Sequence, residues 1–163
     1  MIGFGGIAER KIVKEGFALD RERFSELSDC VLTAACDVDR RRKENVEKWN
    51  LKWYSSADEL LADPDIDAVF IATNNASHAE IGLKALSAGK HLIMEKPIAT
   101  AIGDAQKLFD LAQEKKLCLS VDHMLEYNSF SAAAAKVIAS GEIGEVQLLN
   151  YLKLVFQYPR LAH

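Results

Sequence analysis

Short continuous apolar runs alternate along this chain with amphipathic stretches, and that alternation constrains its fold more than any other feature. Residues 31–36, 68–72, 91–94 and 118–121 are apolar or β-branched runs of four to six residues. Runs of that length without period-two alternation suit parallel strands covered on both faces. Helical patterns lie between them. Ser56 stands three residues before Glu59, a capping box. Ile81, Ala85 and Ala88 recur at helical spacing, and Gly89 sits where a C-terminal cap belongs. Ile102, Ala105, Phe109 and Ala112 form a further stripe. Phe130, Ala133, Ala134, Val137 and Ile138 form another, closed by Gly141. Strands alternating with helices predict an α/β fold with a doubly wound parallel sheet.

The pattern changes after Gly144. Val146, Leu148, Leu152, Leu154 and Phe156 share one face of a run over 146–158, the period of a long strand with one buried face. One strand cannot form a domain, so the reading is a domain over 1–123 and the start of a second over 124–163. The beginning is equally abrupt. Only Met1 and Ile2 precede Gly3, where a strand of about five or six residues is expected. The expectation is therefore a sheet truncated at both ends, with neighbours of the first strand left partly unpaired.

The glycine cluster Gly3-Phe4-Gly5-Gly6-Ile7-Ala8 fits G-x-G-x-x-G/A. The first glycine permits a tight turn, the second lets backbone approach a pyrophosphate, and the third small residue lets helix and sheet pack closely. A helix starting near Ile7 would aim its free N–H groups at the phosphates. Asp37 ends the run 31–36, where a Rossmann-type sheet places an acid on the ribose hydroxyls. The interval from Gly5 exceeds the usual ~20 residues, and the polar stretch 16–29 can absorb the excess. Asp37 can alternatively cap a helix beginning at Arg40. Arg40 and Arg41 can welcome a 2′-phosphate, so the cofactor is NAD or NADP, with Asp37 favouring NAD. Thr73-Asn74-Asn75-Ala76-Ser77-His78 follows the run 68–72 at the carboxyl edge, where ligands bind in doubly wound folds. Thr73 and Asn74 offer short polar groups, Asn75 or Ser77 can cap the next helix, and His78 is either a contact or a cap-region residue. Glu95-Lys96-Pro97 follows the run 91–94 at the same edge. A lysine there can hydrogen-bond a substrate oxygen and assist proton transfer.

Taken together, these blocks in this order resemble the Gfo/Idh/MocA (glucose–fructose oxidoreductase / inositol dehydrogenase) family. The quoted stretches are the opening glycine loop, Ile71 to His78, Ala85-Leu-Ser-Ala-Gly-Lys-His91 leading into Glu95-Lys96-Pro97, and Ser140-Gly-Glu-Ile-Gly-Glu-Val146. The resemblance implies hydride transfer between a nicotinamide and a hydroxyl or carbonyl of a sugar, cyclitol or similar small molecule. It implies a C-terminal α+β sheet domain for substrate binding and oligomer contacts, hence a homo-oligomer at full length. It aligns Lys96 with the catalytic lysine, and Gly3, Gly5, Gly6, Ile7, Ala8, Asp37, Thr73, Asn74, His78, Glu95 and Lys96 with cofactor contacts. His123 follows a strand end, where it can line the substrate site or serve as a structural histidine. Two departures stand out: Asn74 where the family usually has proline, and an acid at Glu126 where arginine is frequent. The lysine's Asp and His partners would lie beyond His163, so little turnover is expected from this chain alone. A non-catalytic nucleotide-binding module is the alternative. A methyltransferase shares the glycine loop but gives no role to Lys96.

The formal net charge of -4 disfavours nucleic acid as the partner, and no apolar run approaches bilayer-spanning length. Cys30, Cys36 and Cys118 form neither a disulfide framework nor a zinc pattern, which points to buried free thiols in a reducing cytoplasm.

Overall fold

A computed structural model describes residues 1–17, 19–20, 22, 29–123 and 128–148. The chain divides into two compact units, Met1–His123 and Met124–His163. The first unit holds β1 (Ala34–Cys36), α1 (Lys43–Lys48), β2 (Lys52–Tyr54), α2 (Ala57–Ala62), β3 (Ala68–Ile71), α3 (His78–Ser87), β4 (His91–Met94), α4 (Ile102–Lys115) and β5 (Leu119–Val121). A π-helix, Ala8–Gly16, precedes β1. Every strand pairing among the described residues is parallel: β1 with β2, β3 with β4, and β4 with β5. Ile2 bridges Cys36 on one side and Ile71 on the other, joining the two sets into one doubly wound sheet.

That bridge pairs only the carboxyl ends of the two neighbours, β1 and β3. The Met1 amine donates to Ala34 O at 2.7 Å. Gly3 N–H donates to Cys36 O and Cys36 N–H to Met1 O, while Ile2 N–H donates to Phe70 O and Ala72 N–H to Ile2 O. Met1, Ile2 and Gly3 thus occupy the central position at the carboxyl end of the sheet.

The continuous apolar runs predict cover on both faces, but β3, β4 and β5 bury only one: Ala68 and Ser120 are exposed and Ile93 is 40 % exposed on the other. Cys36, Val69, Ile71, Leu92 and Met94 pack with Leu60, Leu86, Leu108 and Ala112 from α2, α3 and α4. Ala35 points the other way, into a cluster with Phe4, Ala8, Ile12, Val13 and Val46. Ala8, Ile12 and Val13 are spaced by four and five, the interval that keeps one face of a π-helix on the sheet. Helix α3 lies close on the sheet because Gly82 has no side chain. A Cβ there would fall 2.8 Å from Leu108 Cδ2 and 3.0 Å from Met94 Cε.

Two helix ends follow the sequence reading, whereas Asn74 rather than Asn75 or Ser77 supplies the side-chain cap before α3. Ser56 Oγ accepts Glu59 N–H at 3.1 Å, and the Glu59 carboxylate reaches back to Ser55 N–H at 3.0 Å. Gly89 takes φ +77°, and α3 ends just before it.

Other expectations shift. The run 31–36 is strand only from Ala34, and Val31 is 75 % exposed. The runs 68–72 and 118–121 lose a residue each, ending at Ile71 and starting at Leu119. Strand β2 was not anticipated. On α4 the buried positions are Leu108 and Ala112, while Ile102 and Phe109 face outward. The second unit carries α5 (Ser129–Ser140), capped by Asn128 and closed by Gly141 at φ +76°. Its residues Phe130, Val137 and Ile138 are exposed. The strand expected over 146–158 is absent at 146–148, and its remainder lies outside the described residues.

Candidate cofactor site

Strands end in loops, and the loops at one edge of this sheet converge. The glycine loop crosses from Ile2 to the π-helix with Gly3 at φ +88°. A Cβ on Gly3 would lie 2.7 Å from Ala72 O, so only glycine lets this loop touch the end of β3. Gly5 is the opposite case: an added Cβ would meet nothing within 4 Å. The space beside it is open, and backbone is accessible there. The first amide to find a partner in the following helix is Glu9 N–H, on Gly5 O at 3.0 Å. The amides of Gly6, Ile7 and Ala8 precede it and are the ones a helix start leaves for an anion.

Asp37 stands at the end of β1 beside this loop. Its Oδ2 accepts Phe4 N–H at 2.7 Å, and its Oδ1 accepts Asp39 N–H at 2.8 Å. A carboxylate offers about four acceptor positions. Two are used here, and no cation pairs with Asp37 among the described residues. The helix-capping role considered for Asp37 belongs to Asp39, which accepts Arg41 N–H at 3.0 Å. Asp39 also grips the Arg41 guanidinium, with Nε at 2.8 Å from Oδ1 and Nη2 at 2.9 Å from Oδ2. Those hydrogen bonds hold the Asp39 carboxyl below the usual carboxylate range and raise Arg41.

Across the loop, the residues after β3 form a tight polar knot. Asn74 caps the turn Asn75–Ser77 by accepting Ser77 N–H at 3.2 Å. The Ser77 hydroxyl lies 2.8 Å from Thr73 Oγ1 and 2.9 Å from Asn74 O. Asparagine in place of proline therefore restrains the turn through its side chain. Gly3, Gly5, Cys36, Asp37, Ala72, Thr73 and Asn74 line one cavity of 410 Å³. Sequence reasoning misses seven wall residues, Ile2, Cys36, Val38, Ser56, Ala57, Ala72 and Ile81, and gives Ser77 only a capping role. Cys36 forms part of the floor, and burial pushes its thiol up to about 11.

The remaining candidates stand around this cavity rather than in its wall. Ile7 is exposed and Ala8 buried against the core. Glu95 N–H extends the ladder to Ile71 O at 2.9 Å, and the Glu95 carboxylate accepts Lys96 N–H at 3.2 Å. Lys96 is exposed and precedes a cis peptide bond to Pro97. His78 is fully buried, with Nδ1 2.7 Å from Pro97 O and Nε2 3.3 Å from Thr73 O. His123 is exposed just beyond β5, with its N–H on Val121 O.

No helix among the described residues is long and apolar enough to cross a membrane. Comparison with known proteins places this edge in context. A 1,5-anhydro-D-fructose reductase from Ensifer adhaerens is 36% identical over 110 residues, covering 68% of this chain and 33% of that protein. The D-xylose 1-dehydrogenase (NADP(+)) of Hypocrea jecorina is 34% identical over 122 residues, covering 72% and 31% respectively. The crystal structure of a 3-ketoreductase from Actinomadura kijaniata, in complex with TDP-benzene and NADP, superposes with a TM-score of 0.72 at 32% identity. That match covers 88% of this chain and 43% of the reductase, so the chain spans less than half the length of each of these relatives. The family profile described as "Oxidoreductase family, NAD-binding Rossmann fold" (GFO_IDH_MocA) matches residues 1–123. With the parallel sheet, the glycine loop and that match together, the chain belongs to the Gfo/Idh/MocA family of NAD(P)-binding oxidoreductases.

Proposed function

We propose that this chain forms the cofactor-binding part of a dehydrogenase or reductase acting on a sugar, cyclitol or related small molecule. The observation that carries the reading is Asp37. Its two oxygens are fixed by Phe4 and Asp39 amides, yet each keeps an accepting position beside the cavity. Two vicinal ribose hydroxyls need that pair of acceptors. The residues fit a dinucleotide in other respects. Gly5 leaves the room a pyrophosphate needs, and the amides of Gly6, Ile7 and Ala8 would hold it. Thr73 and Asn74 would hold the nicotinamide half.

The bound dinucleotide would supply the hydride chemistry. Lys96 would hold or receive the hydroxyl proton of the substrate at Nζ, and Glu95 would steady the turn that presents it. Nζ of Lys96 has no protein partner among the described residues, so we expect cofactor binding by this chain without efficient turnover. NAD is the preferred cofactor in this reading, because Asp39 engages Arg41 and Asp37 lies unpaired by cations. NADP is the second reading, favoured by the two relatives whose names carry NADP.

The test is a titration of the chain with NADH and NADPH, followed by nicotinamide fluorescence. Asp37→Ala is expected to weaken NADH by roughly tenfold to a hundredfold, the scale of hydrogen bonds to a charged group. A folded, monodisperse chain that binds neither nucleotide would end the reading. Tighter NADPH than NADH would decide for the second cofactor.

A further inference from the structure

The buried imidazole of His78 is a titratable group that the proposed chemistry leaves without a task. It is 0% exposed, so its ring cannot touch a molecule in the cavity. Both ring nitrogens face backbone carbonyls, which only accept. Nδ1 lies 2.7 Å from Pro97 O, and Nε2 lies 3.3 Å from Thr73 O. The shorter contact assigns the ring hydrogen to Nδ1.

The two carbonyls belong to the two loops that flank the proposed reaction. Thr73 lines the cavity, and Pro97 directly follows Lys96. After Glu95 N–H bonds Ile71 O, the chain leaves the sheet ladder. Among the described residues, Lys96 N–H then bonds only the neighbouring Glu95 carboxylate. Proline has no N–H to give, so the Pro97 carbonyl on His78 is the next polar tie to the domain, with Ile98 packed against the core just beyond.

We infer that His78 is a positioning residue: by donating through Nδ1 to Pro97 O, it sets where Lys96 stands relative to the Thr73–Asn74 wall. The inference rests on Lys96 as the proton-handling residue, and it replaces the cofactor contact expected of His78 from the family resemblance with an indirect role. Asparagine can place a donor where Nδ1 stands, whereas glutamine places one nearer Nε2. The prediction is therefore specific to one ring nitrogen.

The experiment uses the full chain with lysines dimethylated by ¹³C-formaldehyde, the Lys96 signal being identified by its loss in Lys96→Arg. In the absence of nucleotide, His78→Phe and His78→Gln should move the Lys96 signal, and His78→Asn should return it to the wild-type position. On adding NADH, wild type and His78→Asn should show the same Lys96 shift. His78→Phe and His78→Gln should lose it while binding NADH within about threefold of wild type. A Lys96 signal that is unmoved in folded His78→Phe or His78→Gln would overturn the proposal. So would a drop of about tenfold or more in NADH affinity in every variant, Asn included, with Lys96 unmoved; that result would make His78 a cofactor contact. Failure of wild type to bind NADH would strike the cofactor reading alone, because the nucleotide-free comparison still tests His78. Should the Phe variant fail to fold, the Gln and Asn pair decides.

Discussion

Asp37 and Asp63 stand at opposite edges of the same sheet, and their carboxylates are satisfied in opposite ways. Asp37, at the carboxyl edge, takes backbone amides of Phe4 and Asp39 and no cation among the described residues. Asp63, at the amino edge, accepts the Tyr54 hydroxyl, Lys52 Nζ at 2.9 Å and Asp65 N–H at 2.9 Å. Its own carbonyl takes Lys90 Nζ at 2.8 Å, which gives the largely buried Lys90 a partner. Those hydrogen bonds, with Lys52 close by, hold the Asp63 carboxyl well below the usual carboxylate range and push Lys52 up. One edge closes its charges on each other; the other fixes a carboxylate by backbone and leaves it free to accept more. The first arrangement suits a structural tie between β2, α2 and α3. The second suits a ligand.

The sharpest way to break the carboxyl edge is Gly3→Ala. Its Cβ would strike Ala72 O in a left-handed conformation. We expect a loss of about 3 kcal/mol in urea denaturation, together with loss of NADH binding. Unchanged stability would mean that the glycine loop and β3 do not meet as described.

Asp63→Asn tests the amino edge through pH. A depressed folded-state pKa contributes stability that is present above the ordinary carboxylate value, and it is lost as pH falls toward the folded value. Wild type should therefore lose melting temperature below about pH 4 more steeply than the variant. NADH affinity at neutral pH should not change, since Asp63 lies outside the cavity wall. Parallel pH curves for the two proteins would remove Asp63 from the account.

The smallest effect concerns the cavity floor. Of the three thiols expected to be buried, only Cys36 is, and burial pushes it up to about 11; Cys30 and Cys118 are exposed. At pH 8, thiol labelling should show two fast groups and one at least about tenfold slower, and NADH should slow the third further. Three equal rates would show that the floor is open.

Much of this was legible in the sequence because continuous apolar runs have few solutions. Runs around Val69, Leu92 and Leu119 became β3, β4 and β5 within a residue of their expected bounds. The edge strand β2 escaped because Lys52, Trp53 and Tyr54 are exposed or half-buried and make no apolar run. Val31 extended β1 wrongly, since hydrophobicity alone cannot tell a strand from its exposed approach. On α4, bulk misled: Phe109 drew the stripe, but Leu108 sits over the sheet. At the site, the glycine loop, Asp37 and Thr73 were readable from their place after strands. Ser56 and Ala57 were not, because their helix reaches the cavity from across the sheet, a juxtaposition that no local spacing encodes.

Ile2 pairs with both halves of the sheet, and the three residues Met1 to Gly3 are the seam between them. In the language of cooperative unfolding, the β1–β2 half and the β3–β4–β5 half are two blocks coupled through few hydrogen bonds and one shared apolar cluster, and each can open on its own if that coupling fails. The cavity lies over this seam, touching Gly3, Cys36 and Ala72 together. A dinucleotide bound there would act as a splice, making the opening of either block cost the binding free energy as well. Amide exchange would then slow in both halves by the same factor, although the ligand touches only their common edge.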